Sequence, residues 1–234
     1  MLDSRTRKNT VLYSWLALVS VCTPLSVSGA TAPWVGETLS GTPCNRHSGS
    51  GYGPYDYTQR TRFAQNLKLV EGAHFNHRVE SLTAGAKPTA KNPLPDLDYT
   101  LRAFPNHHRA LNTAIRYEIT DPKRFKSHKF SPVECYLLRA VHYSPKDATS
   151  YMLYGIYLHR TQHLNKALTY YQQASTLDPR DLQIQYNMGL LLVDLERFEE
   201  AAEIANTIYA HDFPLVGLKK QLSAAGHWKP DPIQ

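Results

Sequence analysis

The sequence predicts an all-α fold, a solenoid of stacked helical hairpins that follows an irregular N-terminal arm. Two stretches of the chain repeat each other 34 residues apart, so that Asp147, Gly155, Leu158 and Ala167 return as Asp181, Gly189, Leu192 and Ala201. A third, partial copy lies upstream, where Leu137, Ala140 and Pro145 precede Tyr171, Ala174 and Pro179 by the same step. A unit of this length is one pair of helices, and such pairs stack to bury a shared core.

The 34-residue period is that of the tetratricopeptide repeat. In the clearest unit, Gly155 and Ala167 are small where two helices must cross closely, and Pro179 ends the second helix. The next unit runs from about residue 182 to 210, and residues 215–225 predict a lone end helix that covers it. Because stacked units form a curved array whose inner face binds other chains, the sequence predicts a protein-binding scaffold.

We assign residues 96–230 to this array, including its C-terminal capping helix. The first unit carries local signals for helix ends: Pro105 ends a short helix, and Asn106 is the predicted cap of the next one. A polar, basic insertion follows at 120–130. Ser131 and Glu134 then predict a capping box at the start of another helix.

Residues 1–30 predict a signal peptide for export. A basic leader precedes an apolar run at 11–21 that is too short to span a bilayer, and small residues at 28–30 offer a cleavage point before Thr31. An uncleaved N-terminal anchor is one alternative, and lipidation at Cys22 is another. The sequence therefore favours a periplasmic or secreted protein over one that is lipid-anchored at Cys22.

The charge of the chain argues against nucleic acid as a partner. Residues 1–30 hold three of the 26 basic and one of the 20 acidic side chains, so the remainder carries a net charge of +4. This excess is scattered along the chain, whereas nucleic-acid-binding proteins concentrate it on one face or in one run. No apolar stretch after residue 30 is long enough to predict a membrane span.

Residues 31–95 are assigned to the arm, which is rich in Gly, Ser, Pro and Tyr and carries short broken helices between 61 and 82. Two cysteines remain after residue 30, Cys44 in the arm and Cys135 in the array. Two distant cysteines in an exported protein predict one disulfide, which would join the arm to the array. A buried thiol at Cys135 with an exposed thiol at Cys44 is the alternative.

Three tyrosines, Tyr52, Tyr55 and Tyr57, surround Pro54 in the arm. One hypothesis is that this segment lies against the array as an internal ligand and covers part of its binding face. The other hypothesis, which we favour, is a turn that the tyrosines anchor on the helices.

Four segments outside the repeat signature carry a resemblance to a known group of proteins. They are 53–57 (Gly-Pro-Tyr-Asp-Tyr), 70–75, 96–107 and 133–136. Together with the repeats, they resemble small exported tetratricopeptide proteins of proteobacteria, over nearly all of the chain after residue 30. The resemblance implies a location in the envelope of a Gram-negative bacterium, and it implies no particular activity.

In tetratricopeptide arrays the first helix of each pair lines the concave groove. The groove-facing candidates are His159 and Arg160, with Met152 and Ile156, in one unit and Gln183, Tyr186, Asn187 and Asp194, with Leu190, in the next. Asn187 stands where the wider family often uses an asparagine to hold a peptide backbone, because an amide both donates and accepts. Met152 and Ile156 replace the lysine and asparagine that grip a free carboxylate terminus, so we predict an extended or helical peptide segment as the ligand.

Signals for a metal or for catalysis are weak. The 11 histidines include pairs at helical spacing, His74 with His77 and His159 with His163, but no acidic or thiolate residue stands at a matching local spacing. Glu71 with His74 is a local acid–base candidate, and no Gly-x-Ser-x-Gly turn is present. We predict no metal, no cofactor and no catalysis. The alternative is an enzyme or metal-binding protein with a site at the junction of arm and array.

Overall fold

The computed structural model describes residues 31–44, 52–123 and 130–228. The predicted signal peptide, with Cys22, and parts of the arm and of the 120–130 insertion lie outside these ranges. The α-helices of the described ranges are α1 Ala64–His74, α2 His77–Glu80, α3 Leu94–Ala103, α4 His108–Thr120, α5 Val133–Tyr143, α6 Ala148–Arg160, α7 Leu164–Leu177, α8 Leu182–Asp194, α9 Phe198–Tyr209 and α10 Gly217–Ala224. None of them is both long and apolar enough to cross a bilayer.

The helices form an all-α solenoid of hairpins, as the sequence predicts. Three pairs stack in order, α4 with α5, α6 with α7, and α8 with α9, and α10 packs on the last pair. The array takes up α3 as well, because that helix packs on α4 and begins at Leu94, two residues before the predicted boundary. The short helices α1 and α2 of the arm pack on α3 and α4. One apolar core runs from α2 to α8, and a second one joins α8, α9 and α10.

Both repeated glycines lie at close helix contacts. A Cβ atom on Gly155 would lie 2.7 Å from the ring of Tyr171, which α7 places over α6. A Cβ atom on Gly189 would lie 2.5 Å from the end of the Leu218 side chain on α10. The repeat position of Tyr171 is held by Ala205 in the next unit, and Leu218 of the end helix fills the space over Gly189.

The two predicted helix caps of the first unit are wrong, and the residues concerned bind the arm. His107 is the N-cap of α4, where its Nδ1 atom accepts a hydrogen bond from the Ala110 amide. Asn106 lies one residue earlier and its Oδ1 atom accepts from the Tyr57 amide. Helix α5 begins after Pro132 without a side-chain cap. Glu134 instead accepts hydrogen bonds from arm and array, and therefore forms no capping box.

Residues 31–44 of the arm lie along α5. Cys44 and Cys135 form the predicted disulfide. The ring of Trp34 packs edge-on against Tyr136, with ring centroids 5.0 Å apart. Arg139 is buried and its Nε atom donates to the carbonyl of Ala32 at 2.7 Å. The hydrogen bond at Ala32, the ring contact of Trp34 and the disulfide at Cys44 therefore fix this segment on the first unit at three points.

Residues 52–58 form the second attachment of the arm. The Tyr55 amide donates to the Ala103 carbonyl at the end of α3, and the Tyr143 hydroxyl donates to the Pro54 carbonyl. Tyr57 packs its ring 4.4 Å from that of His107. This is a turn held on the helices of the first unit. It lies away from the inner surface of α6 and α8, which does not support the hypothesis of an internal ligand.

Candidate functional site

A cleft of about 390 Å³ lies between α4, α6, α8 and α10. Most of its lining residues lie on the first helices of successive pairs, the helices that the repeat pattern predicts for binding, while Tyr171 comes from the second helix α7 and Gln221 from the end helix. Four of the six predicted groove residues line it: His159, Arg160, Asn187 and Asp194. Ile156 and Leu190 add apolar surface, and Asn112 and Gln221 come from helices to which the sequence assigned no groove residue.

One histidine–carboxylate contact in the cleft connects two successive units. The Nε2 atom of His159 on α6 lies 2.7 Å from an Asp194 carboxylate oxygen on α8. Arg160 lies beside this pair, is exposed, and forms no ion pair with a described residue. Asp194 stands one repeat after Arg160, so the same repeat position carries opposite charges in neighbouring units. The cleft therefore presents both a cation and an anion.

The side-chain amide of Asn187 is hydrogen-bonded within the protein through its nitrogen atom but not through its oxygen atom, as far as the described residues show. Its Nδ2 atom donates to the Gln183 carbonyl at 2.9 Å and contacts the Met152 sulfur at 3.4 Å. Its Oδ1 atom has no hydrogen-bond donor among the described residues and can accept a hydrogen bond from a ligand. Gln183 itself is half-buried and does not line the cleft.

The structure places the predicted groove residue Tyr186 in the second core. Its side chain is 8% exposed, packs on the ring of Phe213 at 5.1 Å, and lies with its hydroxyl against Gly217. A buried ring between α8 and the end helix supports the array and has no surface to offer a ligand. Sequence position alone could not separate these two outcomes, because the end helix that covers Tyr186 lies about 30 residues downstream.

A second group of polar residues lies where the arm meets the array. Asp147 is buried, and its carboxylate accepts hydrogen bonds from Asn106, His108 and Ser150. Asn106 also donates to Asp56 of the arm. Burial alone would raise the pKa of Asp147, but these hydrogen bonds bring it below its ordinary value.

A comparison within the chain explains what Asp147 does. Asp181 holds the same repeat position and caps α8 by accepting from the amides of Gln183 and Ile184. Asp147 makes no such cap on α6. Its carboxylate instead accepts a hydrogen bond from His108, the first residue of α4. One repeat position thus caps a helix in one unit, and in the other it binds Asn106, the residue that contacts the arm.

His107 is held as a neutral imidazole in the same region. Its Nδ1 atom accepts from the Ala110 amide, so the proton is on Nε2, which donates to Glu71 at 3.0 Å. Burial lowers the pKa of His107 below its ordinary value of 6.5, and the hydrogen bond to Glu71 offsets part of this. The hydrogen bond from His107 in turn lowers the pKa of Glu71.

We expect the stability of the protein to fall as the pH is lowered from 7 to 5. Between the lowered pKa of folded His107 and 6.5, the unfolded chain binds more protons than the folded chain, so the free energy of unfolding decreases with decreasing pH. For one proton the slope is at most ~1.4 kcal/mol per pH unit. Urea unfolding at several pH values measures it.

The control for this pH dependence is His107→Asn, because asparagine also caps a helix but does not titrate. The variant should show a flatter pH dependence between 5 and 7, whatever its overall stability. The lowered pKa values of Glu71 and Asp147 act below pH 5, outside the window. An unchanged slope in the variant would contradict the assignment to His107.

Histidine–carboxylate pairs are the feature that sequence spacing missed. His74 pairs with Asp96, His107 with Glu71, His108 with Asp147, and His159 with Asp194, each joining different helices or loops. The local candidate pair of Glu71 with His74 does not form, because each residue has another partner. Among the described residues no three His, Cys, Asp or Glu side chains converge as a metal site.

Comparison with known families locates one repeat. Residues 148–181 match the tetratricopeptide repeat. This span runs from the start of α6 to the residue that caps α8, so it coincides with the clearest hairpin of the array. No curated protein matches the chain. Repeats of this type generally build non-catalytic scaffolds for protein binding, and the array of hairpins has the geometry for that role.

Proposed function

We propose that the protein is a non-catalytic scaffold of the bacterial cell envelope that binds a peptide or protein segment in its concave cleft. The observation that carries this proposal is the cleft itself, where α4, α6, α8 and α10 converge and where Arg160 and the Asn187 Oδ1 atom have no partner among the described residues. The repeat match at 148–181 supports protein as the class of partner.

The residues of the cleft favour a peptide segment that has both apolar and charged side chains. Ile156 and Leu190 offer apolar surface, the Asn187 Oδ1 atom can accept from a backbone amide, and Arg160 can receive an acidic side chain. Asp194 is half exposed on its other side and can receive a basic one. A peptide that carries an acidic residue beside apolar residues matches this arrangement best, because Arg160 forms no ion pair with any residue that the structure describes.

An exported location is supported by the disulfide and by the predicted signal peptide. Disulfides persist in oxidising compartments such as the periplasm and are rare where thiols are kept reduced. The resemblance to small exported proteins of proteobacteria is a further reason to place the scaffold in the periplasm. Cleavage before Thr31 and lipidation at Cys22 are distinguished by the mass of the exported protein.

The alternative of an enzyme at the arm junction has less support. The histidines and carboxylates there are engaged in hydrogen bonds with one another, as the pairs of Asp147 with His108 and of His107 with Glu71 illustrate. A general acid or base must reach a substrate proton. His107 is fully buried against the arm and α1, so no substrate atom could approach its ring nitrogens.

The test is selection of binding peptides from a random peptide library, followed by calorimetry with wild-type and variant proteins. Arg160→Glu should weaken binding of selected peptides about tenfold or more, which corresponds to ~1.4 kcal/mol or more. Asn187→Ala should weaken it by a smaller factor, because one backbone hydrogen bond is lost. Peptides enriched in acidic residues are the expected selection.

Arg180→Glu is the matched control. Arg180 is exposed beyond the end of α7, so the variant makes the same charge change outside the cleft. It should change peptide affinity less than twofold, because a solvent-exposed charge outside the binding site contributes little interaction energy. Equal loss of affinity in Arg160→Glu and Arg180→Glu, or selection of peptides that bind both variants as well as wild type, would refute binding in the cleft.

A further inference from the structure

The charges of the cleft are few and lie at the ends of two helices. Of the described residues that line it, Arg160 and Asp194 carry a full charge at neutral pH. Each is the last residue of its helix, Arg160 of α6 and Asp194 of α8. Between them lies His159, whose charge depends on whether its ring holds a second proton.

Asp194 lies at a helix end where a negative charge is unfavourable. The backbone dipoles of a helix leave partial negative charge at its last turn, which favours a cation there and disfavours an anion. Helix α8 has no basic residue in its last turn. Arg197, three residues further on, is paired with Glu200 of α9. A cation that stabilises the Asp194 carboxylate therefore has to come from another helix or from a ligand.

His159 is the residue of the protein that can supply this cation. Its Nε2 atom lies 2.7 Å from one oxygen of Asp194, and the other oxygen has no hydrogen-bond donor among the described residues. The Asp194 side chain is 49% exposed, so a ligand can reach it. Because histidine gains its positive charge between about pH 8 and about pH 5, the same contact is a hydrogen bond from a neutral ring at high pH and an ion pair at low pH.

The other groups that face the cleft keep their charge state over this range. Tyr171 of α7 meets the His159 ring edge-on, and burial raises the pKa of Tyr171 above its ordinary value, so its hydroxyl stays neutral. The polar residues contributed by the remaining elements are neutral amides: Asn112 of α4, Gln162 after α6, Asn187 of α8 and Gln221 of α10. His163 lies one turn beyond His159, but it contacts Thr161 and does not line the cleft.

From these contacts we propose that His159 makes the ligand specificity of the cleft depend on pH. While His159 is neutral, Asp194 receives a basic side chain of the bound segment, and Arg160 receives an acidic one. When His159 takes up a proton it pairs with Asp194 itself, so the basic side chain of the ligand loses its partner and the acidic one alone is selected. This inference rests on the proposed binding of a peptide segment and adds the regulation of that site.

Selection from the random peptide library at about pH 8 and at about pH 5.5, on either side of histidine titration, provides the probes. Peptides selected at the higher pH should carry Lys or Arg as well as Asp or Glu. In calorimetry, replacing the basic residue of such a peptide by norleucine should weaken binding about threefold or more at the higher pH and less than about 1.5-fold at the lower pH. The acidic residues of the peptide keep their charge at both values, because their ordinary pKa is about 4.

Three variants assign this pH dependence to one contact. His159→Gln keeps a side chain that can donate to Asp194 but does not titrate, so it should prefer the peptide with the basic residue at both pH values. Asp194→Asn should show the preference at neither value. His163→Gln is the matched control, because it removes the neighbouring histidine outside the cleft, and it should behave as wild type.

The possible failures separate this inference from the proposed function. Selected peptides whose affinity does not depend on Arg160 would refute both. Peptides that depend on Arg160 but carry no basic residue at the higher pH would refute the inference alone, as would a preference for the basic residue that is equal at the two pH values in wild type. If His159→Gln does not fold, the comparison of wild type with Asp194→Asn still decides, because Asp194 is half exposed.

Discussion

Loss of the disulfide between Cys44 and Cys135 is expected to lower the free energy of unfolding by about 4 to 5 kcal/mol. The bond closes a loop across a sequence separation of 91 residues, and opening it gives the unfolded chain more conformational freedom. The effect should be a large share of the total stability of an ordinary domain. Urea unfolding of the Cys44→Ala variant against the oxidised wild type measures it.

Reductant provides the control for this prediction. Wild type in reductant should unfold at the same urea concentration as Cys44→Ala, and the variant itself should not respond to reductant. The helical signal of α6 to α9 should persist at low urea, because the arm is attached to the first unit only. A change below ~1 kcal/mol would show that the hydrogen bonds of Arg139, Glu134 and Asn106 hold the arm without the bond.

Gly155→Ala is expected to destabilise the protein by about 1 to 3 kcal/mol, although alanine is the better helix former. The added methyl group would lie 2.7 Å from the Tyr171 ring, and Tyr171 is 1% exposed. Helices α6 and α7 must therefore separate, or the ring must leave a packed position. Thermal and urea unfolding with the folded state verified by circular dichroism give the measurement.

Gly72→Ala is the matched control, with the opposite sign. Gly72 lies in α1 and a Cβ there would meet no atom within 4 Å, so the variant should gain ~0.5–1 kcal/mol from helix propensity alone. Gly189→Ala should fall between the two, because its contact is the end of the flexible Leu218 side chain. If Gly155→Ala were as stable as Gly72→Ala, close crossing would not be the reason for glycine at this repeat position.

The repeating part of the fold could be predicted because its signal is redundant. The step of 34 residues, the small residues at 155 and 167 and the stop at Pro179 each indicate the same hairpin. The disulfide followed from cysteine count and compartment. These inferences need only local patterns and their recurrence, and stacking supplies the rest of the architecture.

The attachment of the arm could not be predicted, because it uses residues whose local pattern suggests another role. Asn106 and Glu134 have the chemistry and spacing of cap residues, yet their partners are Tyr57 and Leu39, 49 and 95 residues away. Local sequence rules assign a polar side chain to the nearest backbone. They give no indication when a distant segment competes successfully for the same hydrogen bonds.

The candidate sites were predicted in part for a similar reason. Helical spacing placed Arg160, Asn187 and Asp194 on one surface, and they line one cleft. Tyr186 shares their helix but is buried by Phe213 and Gly217, which the spacing within α8 does not reveal.

The end helix has a consequence for how such a chain can lengthen. Leu218 occupies the notch over Gly189, where a following hairpin would have to dock. An extra unit gained by gene duplication can therefore be accommodated only upstream of the end helix, which would then seal the new unit in turn. Natural relatives with more repeats should therefore carry the added units before the end helix and keep that helix in its place over the last unit.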